Sequence, residues 1–286
     1  MKIIDGKKAR EALLPALEQR ISRFKKPLTL AIIQVGEKPD STVYINAKKK
    51  FATKIGVNAK HIQAPENIEE KKLIQIIEEC NADPNIQGII IQLPLPQHLN
   101  KDLVIDTIKP CKDADGLTAT NVKGWTEGNS DAILPATARG VRDLLSFYNI
   151  SLMNKKIVVV GRSMLVGKPI AFMCMTLNGD ATVTICHSKT KNLEDETKTA
   201  DILIVATGNP KLIGTKHVRA GQIIVDVGIN ALQLPDIDDG KRHLVGDVDF
   251  DAVKDIVEAI TPVPGGVGPM TVLSLFENLV DLANNQ

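Results

Sequence analysis

Short apolar segments rich in β-branched residues alternate with helical patterns along most of this chain. The apolar segments read LTLAIIQVG, GIIIQLPLP, KIVVVG, TVTICH, DILIVATG and QIIVDVG, in that order. Strands that are apolar almost throughout are buried on both faces, which is typical of parallel sheets covered by helices. The sequence therefore predicts an α/β protein built on parallel sheets, and its 286 residues are enough for two domains.

The helical patterns and the polar stretches between them indicate where one domain ends. Helices are predicted over residues 5–24, 67–81, 138–149 and 270–285, with Thr137 as the N-cap of the third. The polar, glycine-bearing stretch 115–136 separates two series of strands, so we expect the domain break there. The closing helix could pack on either half.

The charge balance and composition exclude several classes of function. Lys and Arg together number 35 against 34 acidic residues, so no charge excess favours nucleic acid or an anionic membrane. Only 3% of the residues are aromatic, too few for base-stacking platforms. The start MKIIDGKKAR has no apolar signal region, and no apolar run reaches the roughly 20 residues of a membrane span. We expect a cytoplasmic protein without nucleic-acid or membrane partners.

The spacing of cysteines and histidines gives no indication of a metal site. The five histidines show no ligand spacing, and the four cysteines are scattered without CxxC pairs. Such cysteines are typical of small buried side chains in a reducing compartment. They are Cys80, Cys111, Cys174 and Cys186. We predict no metal.

One of three consecutive lysines is predicted to point toward apolar neighbours. In the helical segment STVYINAKKKFATKI, with Ser41 or Thr42 as its cap, about 100° of rotation per residue puts Lys48 on an apolar stripe. That stripe comprises Tyr44, Phe51 and Ile55, whereas Lys49 and Lys50 lie on the opposite side. A desolvated amine has a lowered pKa and can act as a base near neutral pH. The alternative is a structural lysine whose ammonium group reaches water.

The segment KIVVVGRSMLVGKPIA has the strand–turn–helix pattern of a phosphate-binding junction. Gly161 ends the predicted strand. The pattern is not GxGxxG, because Ser163 stands where the second glycine would be and Gly167 comes one residue late. The segment predicts a dinucleotide site, with a purely structural tight turn as the alternative.

The end of the next strand indicates which dinucleotide would bind. NAD-preferring sites place a carboxylate there, on the ribose 2′-hydroxyl. Here the strand is followed by His187, Ser188 and Lys189, and the first carboxylate is Glu194. Arg162 lies in the phosphate turn itself, and a guanidinium group suits a 2′-phosphate. These residues favour NADP.

The segment PCKDADGLTATN contains two carboxylates, Asp113 and Asp115. A calcium loop would need a further oxygen ligand before its glycine and a glutamate at its end, and neither fits. The nucleophile motif of haloacid-dehalogenase-like phosphatases would need an apolar strand directly upstream, where this chain has IKPCK. We interpret Asp113 as a turn residue and leave the role of Asp115 open at this point.

Two further segments are candidates for ligand contact. Gln92 lies at the end of the predicted strand GIIIQ, and the carboxyl ends of strands in open α/β sheets face the ligand crevice. An amide there either satisfies local backbone groups or contacts a substrate. The segment TPVPGGVGPMT, residues 261–271, allows close backbone approach to a flat ligand or simply links to the last helix.

Seven segments, in their order along the chain, resemble the bifunctional methylenetetrahydrofolate dehydrogenase/cyclohydrolase family. They are YINAK, GIIIQLPLP, KDADG, GRSMLVGKP, HSKT, DVGIN and TPVPGGVGPMT, and the resemblance extends from IDGK to the final helix. It implies a folate-binding domain, residues 1–136 plus 270–286, a Rossmann-like NADP-binding domain, residues 137–269, and a cleft between them. It further implies oxidation of 5,10-methylenetetrahydrofolate to the methenyl cation, hydrolysis of that cation to 10-formyltetrahydrofolate, and a homodimer.

The resemblance also implies roles for individual residues. Lys48 would be the catalytic lysine, assisted by Gln92, while Tyr44 would pack on the folate ring system and Asp115 would anchor the pterin. The cofactor-contacting positions would be Gly161, Arg162, Ser163, Ser188 and Ile229. The loop 262–271 would line the folate pocket through residues that include Pro262, Pro264, Gly265 and Gly266.

The chain departs from the family pattern at one position, and two other functions remain as alternatives. Where PxTPxG is frequent, this chain has PATARG, so we expect Ala138 to give a slightly less rigid helix start without loss of activity. The spacing of Tyr44 and Lys48 copies the YxxxK of short-chain dehydrogenases. In that class the glycine-rich cofactor turn precedes the YxxxK, whereas here Gly161 follows it. A dinucleotide-binding regulatory module is the non-enzymatic alternative, and the joint presence of Lys48, Gln92 and Asp115 argues against it.

Overall fold

The computed structural model of the chain describes residues 1–176, 179–232 and 243–286. These residues form two compact units. The amino-terminal unit comprises residues 13–125, 129–136 and 272–286, and the carboxyl-terminal unit comprises residues 1–12, 126–128 and 137–271. The long helices α1 (Gly6–Ile21) and α10 (Val267–Asn284) each contribute several residues to both units.

A parallel sheet forms the centre of the amino-terminal unit. Its strands lie in the order β3 (Asn58–Ala64), β2 (Thr29–Val35) and β4 (Gly88–Ile91). Ile33 of β2 lies opposite Ile62 of β3 and Ile91 of β4. Both β2 and β4 are buried almost throughout, as expected for strands covered on two faces.

Helices cover this sheet through apolar side chains. One face packs against α3 (Glu70–Ala82) and α4 (Lys101–Asp106) in a single apolar cluster. The rings of Phe51, on α2 (Pro39–Lys54), and Phe276, on α10, have centroids 5.5 Å apart. A Cβ at Gly88 would lie 2.6 Å from Cδ1 of Leu279 on α10, so a larger residue in β4 would require the Leu279 side chain to move.

Within the described residues, the carboxyl-terminal unit contains a six-stranded sheet in which every pairing is parallel. Its strands lie in the order β1 (Lys2–Ile3), β11 (Ala259–Ile260), β8 (Ile223–Asp226), β7 (Ile202–Val205), β5 (Lys156–Val160) and β6 (Thr182–Cys186). Strand β6 pairs with one side of β5, and β7 and then β8 lie on its other side. The strand order therefore reverses at β5, which is the switch point typical of dinucleotide-binding sheets. Because β1 belongs to this sheet, the first residues of the chain group with the carboxyl-terminal unit.

Shorter elements complete the two units. They are the helices α5 (Ala119–Thr126), α6 (Ala136–Phe147), α7 (Gly167–Met175), α8 (Leu193–Lys198) and α9 (Phe250–Val253), the antiparallel pair β9 (Asn230–Leu232) and β10 (His243–Val245), and 3₁₀ turns at Pro110–Lys112 and Thr215–His217. In the part of the chain that the structure describes, no helix has the length and apolar character needed to cross a bilayer.

The predicted α/β class and parallel sheets are confirmed, and all six predicted strands are present as β2, β4, β5, β6, β7 and β8. Two predicted helix caps are wrong. The helix α2 begins at Pro39, before Ser41 and Thr42, because a proline in the first turn already has a helical φ. Thr137 lies inside α6, which begins directly after another proline. Ala138 is fully buried as the third residue of that helix.

Candidate functional site

Lys48 and Gln92 meet in the amino-terminal unit. Lys48 lies on α2, and its Nζ donates a hydrogen bond to Oε1 of Gln92 over 3.1 Å. Gln92 directly follows β4, and its backbone N–H continues the sheet by donating to the Ile33 carbonyl. The Gln92 amide also donates through Nε2 to the Leu93 carbonyl over 3.0 Å, which turns its oxygen toward the lysine.

Asp115 is the electrostatic partner of this lysine. Burial lowers the pKa of Lys48, and the Asp115 carboxylate partly offsets that effect. Burial also raises the pKa of Asp115 to about 6, while the Lys48 ammonium opposes the rise and Asp113 adds to it. Desolvation thus favours the neutral form of both groups, and for Asp115 it brings the pKa to about 6.

The loop that carries Asp115 is held by buried polar contacts. Asp113 is 1% exposed and accepts hydrogen bonds from Thr118 N, Thr118 Oγ1 and Asn121 Nδ2, at 2.8 to 2.9 Å. Asn278, on α10, donates to the carbonyls of Ala114 and Leu134 over 2.9 and 3.0 Å. Asp113 therefore forms a turn, as predicted, but a buried one that fixes the position of its neighbour Asp115.

Asn278 was missed by sequence reasoning, although the sequence contains a signal for it. It is fully buried in the mostly apolar run VLSLFENLVDL of α10. A lone amide on the apolar face of a helix requires buried partners, because an unpaired polar group in a core is costly. Its buried partners are the carbonyl of Ala114, directly before Asp115, and the carbonyl of Leu134.

Tyr44 is placed differently from the prediction. Its side chain is 41% exposed, whereas Ile45, Phe51 and Ile55 are buried. The centre of the buried face of α2 lies between Ile45 and Phe51, so Lys48 is near its middle and Tyr44 at its edge. The predicted burial of this stripe is therefore correct for Lys48, Phe51 and Ile55 but wrong for Tyr44. The Tyr44 ring is partly exposed to solvent, one helical turn before the lysine.

The glycine turn predicted to bind a dinucleotide lies at the carboxyl end of β5. Gly161 has a φ of 133°, and a Cβ there would overlap the Ala206 carbonyl that follows β7. Ser163 Oγ accepts hydrogen bonds from the N–H groups of Val166 and Gly167 over 3.1 and 3.4 Å, which closes the turn onto the start of α7. Only glycine at 161 permits this approach between two neighbouring strand ends.

The other predicted cofactor residues lie at the same edge of the sheet. Arg162 and Ser188 follow the neighbouring strands β5 and β6, and Ile229 comes three residues after β8; all three are exposed. The carboxyl ends of parallel strands share one edge, so these side chains line a common side of the sheet. A glycine turn, an exposed guanidinium and an exposed hydroxyl fit a phosphorylated dinucleotide.

Residues 262–266 of the predicted loop form a tight turn in the carboxyl-terminal unit, whereas residues 267–271 already belong to α10, so the predicted loop 262–271 is wrong over its second half. Gly265 has a φ of 112°, and its carbonyl accepts hydrogen bonds from the backbone N–H groups of Gly6 and Lys7. Gly266 donates to the Pro262 carbonyl over 2.7 Å, and a Cβ on Gly6 would overlap the Gly266 carbonyl. The IDGK segment thus supports the loop. The predicted contacts at Pro262, Pro264, Gly265 and Gly266 lie in this turn, whereas Lys48, Gln92 and Asp115 belong to the amino-terminal unit.

Within residues 1–176, 179–232 and 243–286, no group of three or more His, Cys, Asp or Glu side chains could hold a metal ion.

Comparison with known proteins gives consistent matches over the full length. Family models match residues 4–115, as the catalytic domain of tetrahydrofolate dehydrogenase/cyclohydrolase, and residues 135–286, as its NAD(P)-binding domain. The bifunctional protein FolD of Sulfurihydrogenibium sp. is 44% identical over 287 residues, covering 99% of this chain and 97% of that protein.

Solved structures agree with these matches. The bifunctional enzyme FolD from Campylobacter jejuni has a TM-score of 0.94 at 40% identity, over 100% of this chain and 99% of that one. The Trypanosoma brucei methylenetetrahydrofolate dehydrogenase-cyclohydrolase, complexed with NADP cofactor and inhibitor, has a TM-score of 0.93 at 33% identity, over 99% of this chain and 97% of that one.

Proposed function

This chain belongs to the tetrahydrofolate dehydrogenase/cyclohydrolase family, and on that basis we propose which of its residues take part in each of two consecutive reactions. It is a bifunctional enzyme that oxidises 5,10-methylenetetrahydrofolate with NADP⁺ and hydrolyses the resulting 5,10-methenyl cation to 10-formyltetrahydrofolate. We assign folate chemistry to residues 1–136 plus 270–286 and NADP binding to residues 137–269. The short-chain dehydrogenase alternative is not favoured, because the cofactor turn follows the YxxxK spacing by more than a hundred residues and the full-length matches are to folate enzymes.

The observation that carries the catalytic assignment is the Lys48–Gln92 contact beside Asp115. A half-buried amine with a lowered pKa can accept a proton, and the Gln92 oxygen holds it in one orientation. In the hydrolysis, water adds to the methenyl carbon and loses a proton to Lys48. The carbon–N5 bond then breaks as N5 takes a proton back from the Lys48 ammonium, and the hydroxyl group loses its proton to form the formyl carbonyl, so that one proton is released overall. Asp115 is proposed to anchor the pterin, since a carboxyl group near its pKa can either donate or accept a hydrogen bond.

Hydride transfer requires that the substrate be positioned, and it does not require a base. When bound, NADP⁺ accepts the hydride, and removal of a hydride from the methylene carbon creates a cation without the help of a strong base. The residues need only hold the folate in place. Tyr44, with its partly exposed ring, and the segment 262–271 are the proposed folate contacts.

NADP binding is proposed to depend on the turn after β5 and the loop after β6. Gly161 lets the turn pack closely, and Ser163 closes it onto α7. Arg162 and Ser188 are exposed and can bind a 2′-phosphate. Ile229, exposed beyond the end of β8, offers an apolar contact to the same cofactor.

A homodimer in the cytoplasm is proposed from the family resemblance. Sedimentation of the purified protein at micromolar concentration would show a species of twice the chain mass of 31.0 kDa. A monomer at that concentration would contradict the proposal.

The function is tested by one coupled assay. Purified protein, 5,10-methylenetetrahydrofolate and NADP⁺ should give absorbance from reduced nicotinamide, followed by loss of the methenyl absorbance as hydrolysis proceeds. Parallel reactions with NAD⁺ should be slower at equal concentrations. A regulatory module without activity would bind NADP⁺ but produce no reduced nicotinamide.

A further inference from the structure

Two buried carboxylates lie side by side in the carboxyl-terminal unit, beyond the residues assigned above. Asp226 is the last residue of β8, and Asp247 follows β10; they are 3% and 0% exposed. Asp226 accepts hydrogen bonds from the backbone N–H groups of Asp247 and Val248 over 3.1 and 2.9 Å. Asp226 thereby fixes the backbone from which the Asp247 side chain extends.

The Asp247 carboxylate joins two turns that leave neighbouring strands. Its Oδ2 accepts hydrogen bonds from Thr207 N, Thr207 Oγ1 and Gly208 N, over 2.6 to 3.0 Å, just beyond β7. Its Oδ1 accepts one over 2.9 Å from Nδ2 of Asn230, the first residue of β9, which follows the turn after β8. One side chain therefore holds the relative positions of both strand exits.

Neighbouring glycines leave room for this arrangement. A Cβ on Gly228 would overlap the Asp247 carboxylate, and a Cβ on Gly246 would overlap the Asp226 carboxylate. Burial, with a smaller contribution from Asp247, raises the pKa of Asp226 to about 7 against the opposing effect of its backbone hydrogen bonds. The sequence segments DVGIN and GDVDF contain these four residues, and sequence reasoning missed the role of the second segment.

Both turns lie where a dinucleotide would extend past its phosphates. The Ala206 carbonyl, directly before Thr207, packs against Gly161 of the predicted phosphate turn. Ile229, the predicted cofactor contact after β8, stands between Gly228 and Asn230. With the 2′-phosphate end assigned to β6, the sheet order β6-β5-β7-β8 places the nicotinamide end over the exits of β7 and β8.

We propose that Asp247 is a positioning residue for the nicotinamide end of NADP, acting through the Thr207–Gly208 and Ile229–Asn230 turns. This inference rests on the proposed NADP site. Asp247 does not touch the reacting atoms. It holds two backbone segments at a fixed separation so that the cofactor meets a preformed surface.

Asp247→Asn tests the proposal with little change of shape. The amide keeps one oxygen, but its NH₂ group must face either the Thr207 and Gly208 donors or the Asn230 donor, so one turn loses its acceptor. We expect KM for NADP⁺ to rise about 10-fold or more, with a smaller fall in kcat. Hydrolysis of separately supplied methenyltetrahydrofolate should fall less than about 2-fold, because Lys48 lies in the other unit.

Two further variants complete the test. Asn230→Ala removes a single donor to Asp247, so KM for NADP⁺ should rise about 3-fold even if the Asp247 variant fails to fold. Asp201→Asn is the matched control: Asp201 accepts a backbone hydrogen bond from Lys156 at the opposite end of the same sheet, and its loss should leave KM for NADP⁺ unchanged.

Three outcomes separate the claims. Unchanged KM for NADP⁺ in both the Asp247 and Asn230 variants overturns the positioning role. Equal losses of dehydrogenase and hydrolase activity also overturn it, since they indicate general destabilisation. Absence of NADP-dependent oxidation in the parent protein overturns the proposed function itself, whatever the variants do.

Discussion

The Nζ of Lys48 lies 3.1 Å from Oε1 of Gln92, a contact between a helix and the residue that follows a strand. Neither residue type is unusual, since lysine and glutamine are common on protein surfaces. The fold gives them their role, because α2 packs on the sheet and presents Lys48 to the carboxyl end of β4. Hydrolysis should therefore depend on both residues.

Replacing Gln92 tests the orientation of the lysine. Gln92→Ala removes the acceptor that holds Nζ, so the rate of methenyltetrahydrofolate hydrolysis should fall about 10-fold or more. The matched control is Gln87→Ala at the other end of the same strand, where Gln87 accepts a hydrogen bond from Thr29 N. That variant should hydrolyse at nearly the parent rate. Equal rates for the two variants would contradict a role for Gln92.

The raised pKa of Asp115 predicts a specific pH dependence of stability. Its value of about 6, against an ordinary 3.8, means that the folded protein holds this proton more tightly than the unfolded chain. The free energy of unfolding should therefore decrease as the pH rises through 4 to 6, and Asp115→Asn should remove that decrease. Between pH 4 and 7 the variant should gain up to about 3 kcal/mol relative to the parent.

Urea unfolding at several pH values measures this difference. Asp131→Asn, at an exposed carboxylate of the same unit, serves as the control and should track the parent closely. An Asp115 variant that also tracks the parent across this range would show that the carboxyl group is well solvated in the folded protein.

Arg162 is expected to select NADP over NAD. Loss of a charge-assisted hydrogen bond to the 2′-phosphate in Arg162→Ala should raise KM for NADP⁺ about 10- to 100-fold and leave KM for NAD⁺ nearly unchanged. Lys155→Ala, an exposed cation just before the opposite end of β5, is the control for net charge. If KM for both nicotinamides rises equally, Arg162 contacts a group that the two cofactors share.

Asn278 is expected to stabilise the loop that carries Asp115. Asn278→Ala leaves the buried carbonyls of Ala114 and Leu134 without this donor, which should lower the free energy of unfolding by about 2–4 kcal/mol. Gln286→Ala is a close match, because Gln286 also donates to two carbonyls but is exposed; it should cost less than about 0.5 kcal/mol. Chemical denaturation of both variants measures the contrast.

Local patterns predicted much of this molecule, and tertiary contacts determined the rest. Apolar runs identified β4 and β5 because both faces of those strands are buried. The edge strand β3, NAKHIQA, escaped notice because it is mostly polar and only partly covered. Helical periodicity placed Lys48 correctly, but it could not predict that the buried face of α2 leaves Tyr44 at its edge.

The missed polar residues share a physical cause. Asp247 and Asn278 act through partners that lie 17 to 40 and 144 to 164 positions away along the chain. No local spacing encodes such contacts, since they depend on which strand ends and helices become neighbours. The segment GDVDF and the amide of Asn278 in α10 are visible in the sequence, but their partners become visible only in the fold.

The central claim is that the Lys48 amine serves as the base for hydrolysis. The most direct measurement supplies 5,10-methenyltetrahydrofolate and follows the loss of its absorbance with Lys48→Met, Lys48→Arg and the exposed-side control Lys49→Met. We predict hydrolysis at least about 100-fold slower in both Lys48 variants, because neither side chain can accept a proton, with NADP⁺ binding retained and the control near the parent rate. Hydrolysis by folded Lys48→Met at close to the parent rate would contradict the account.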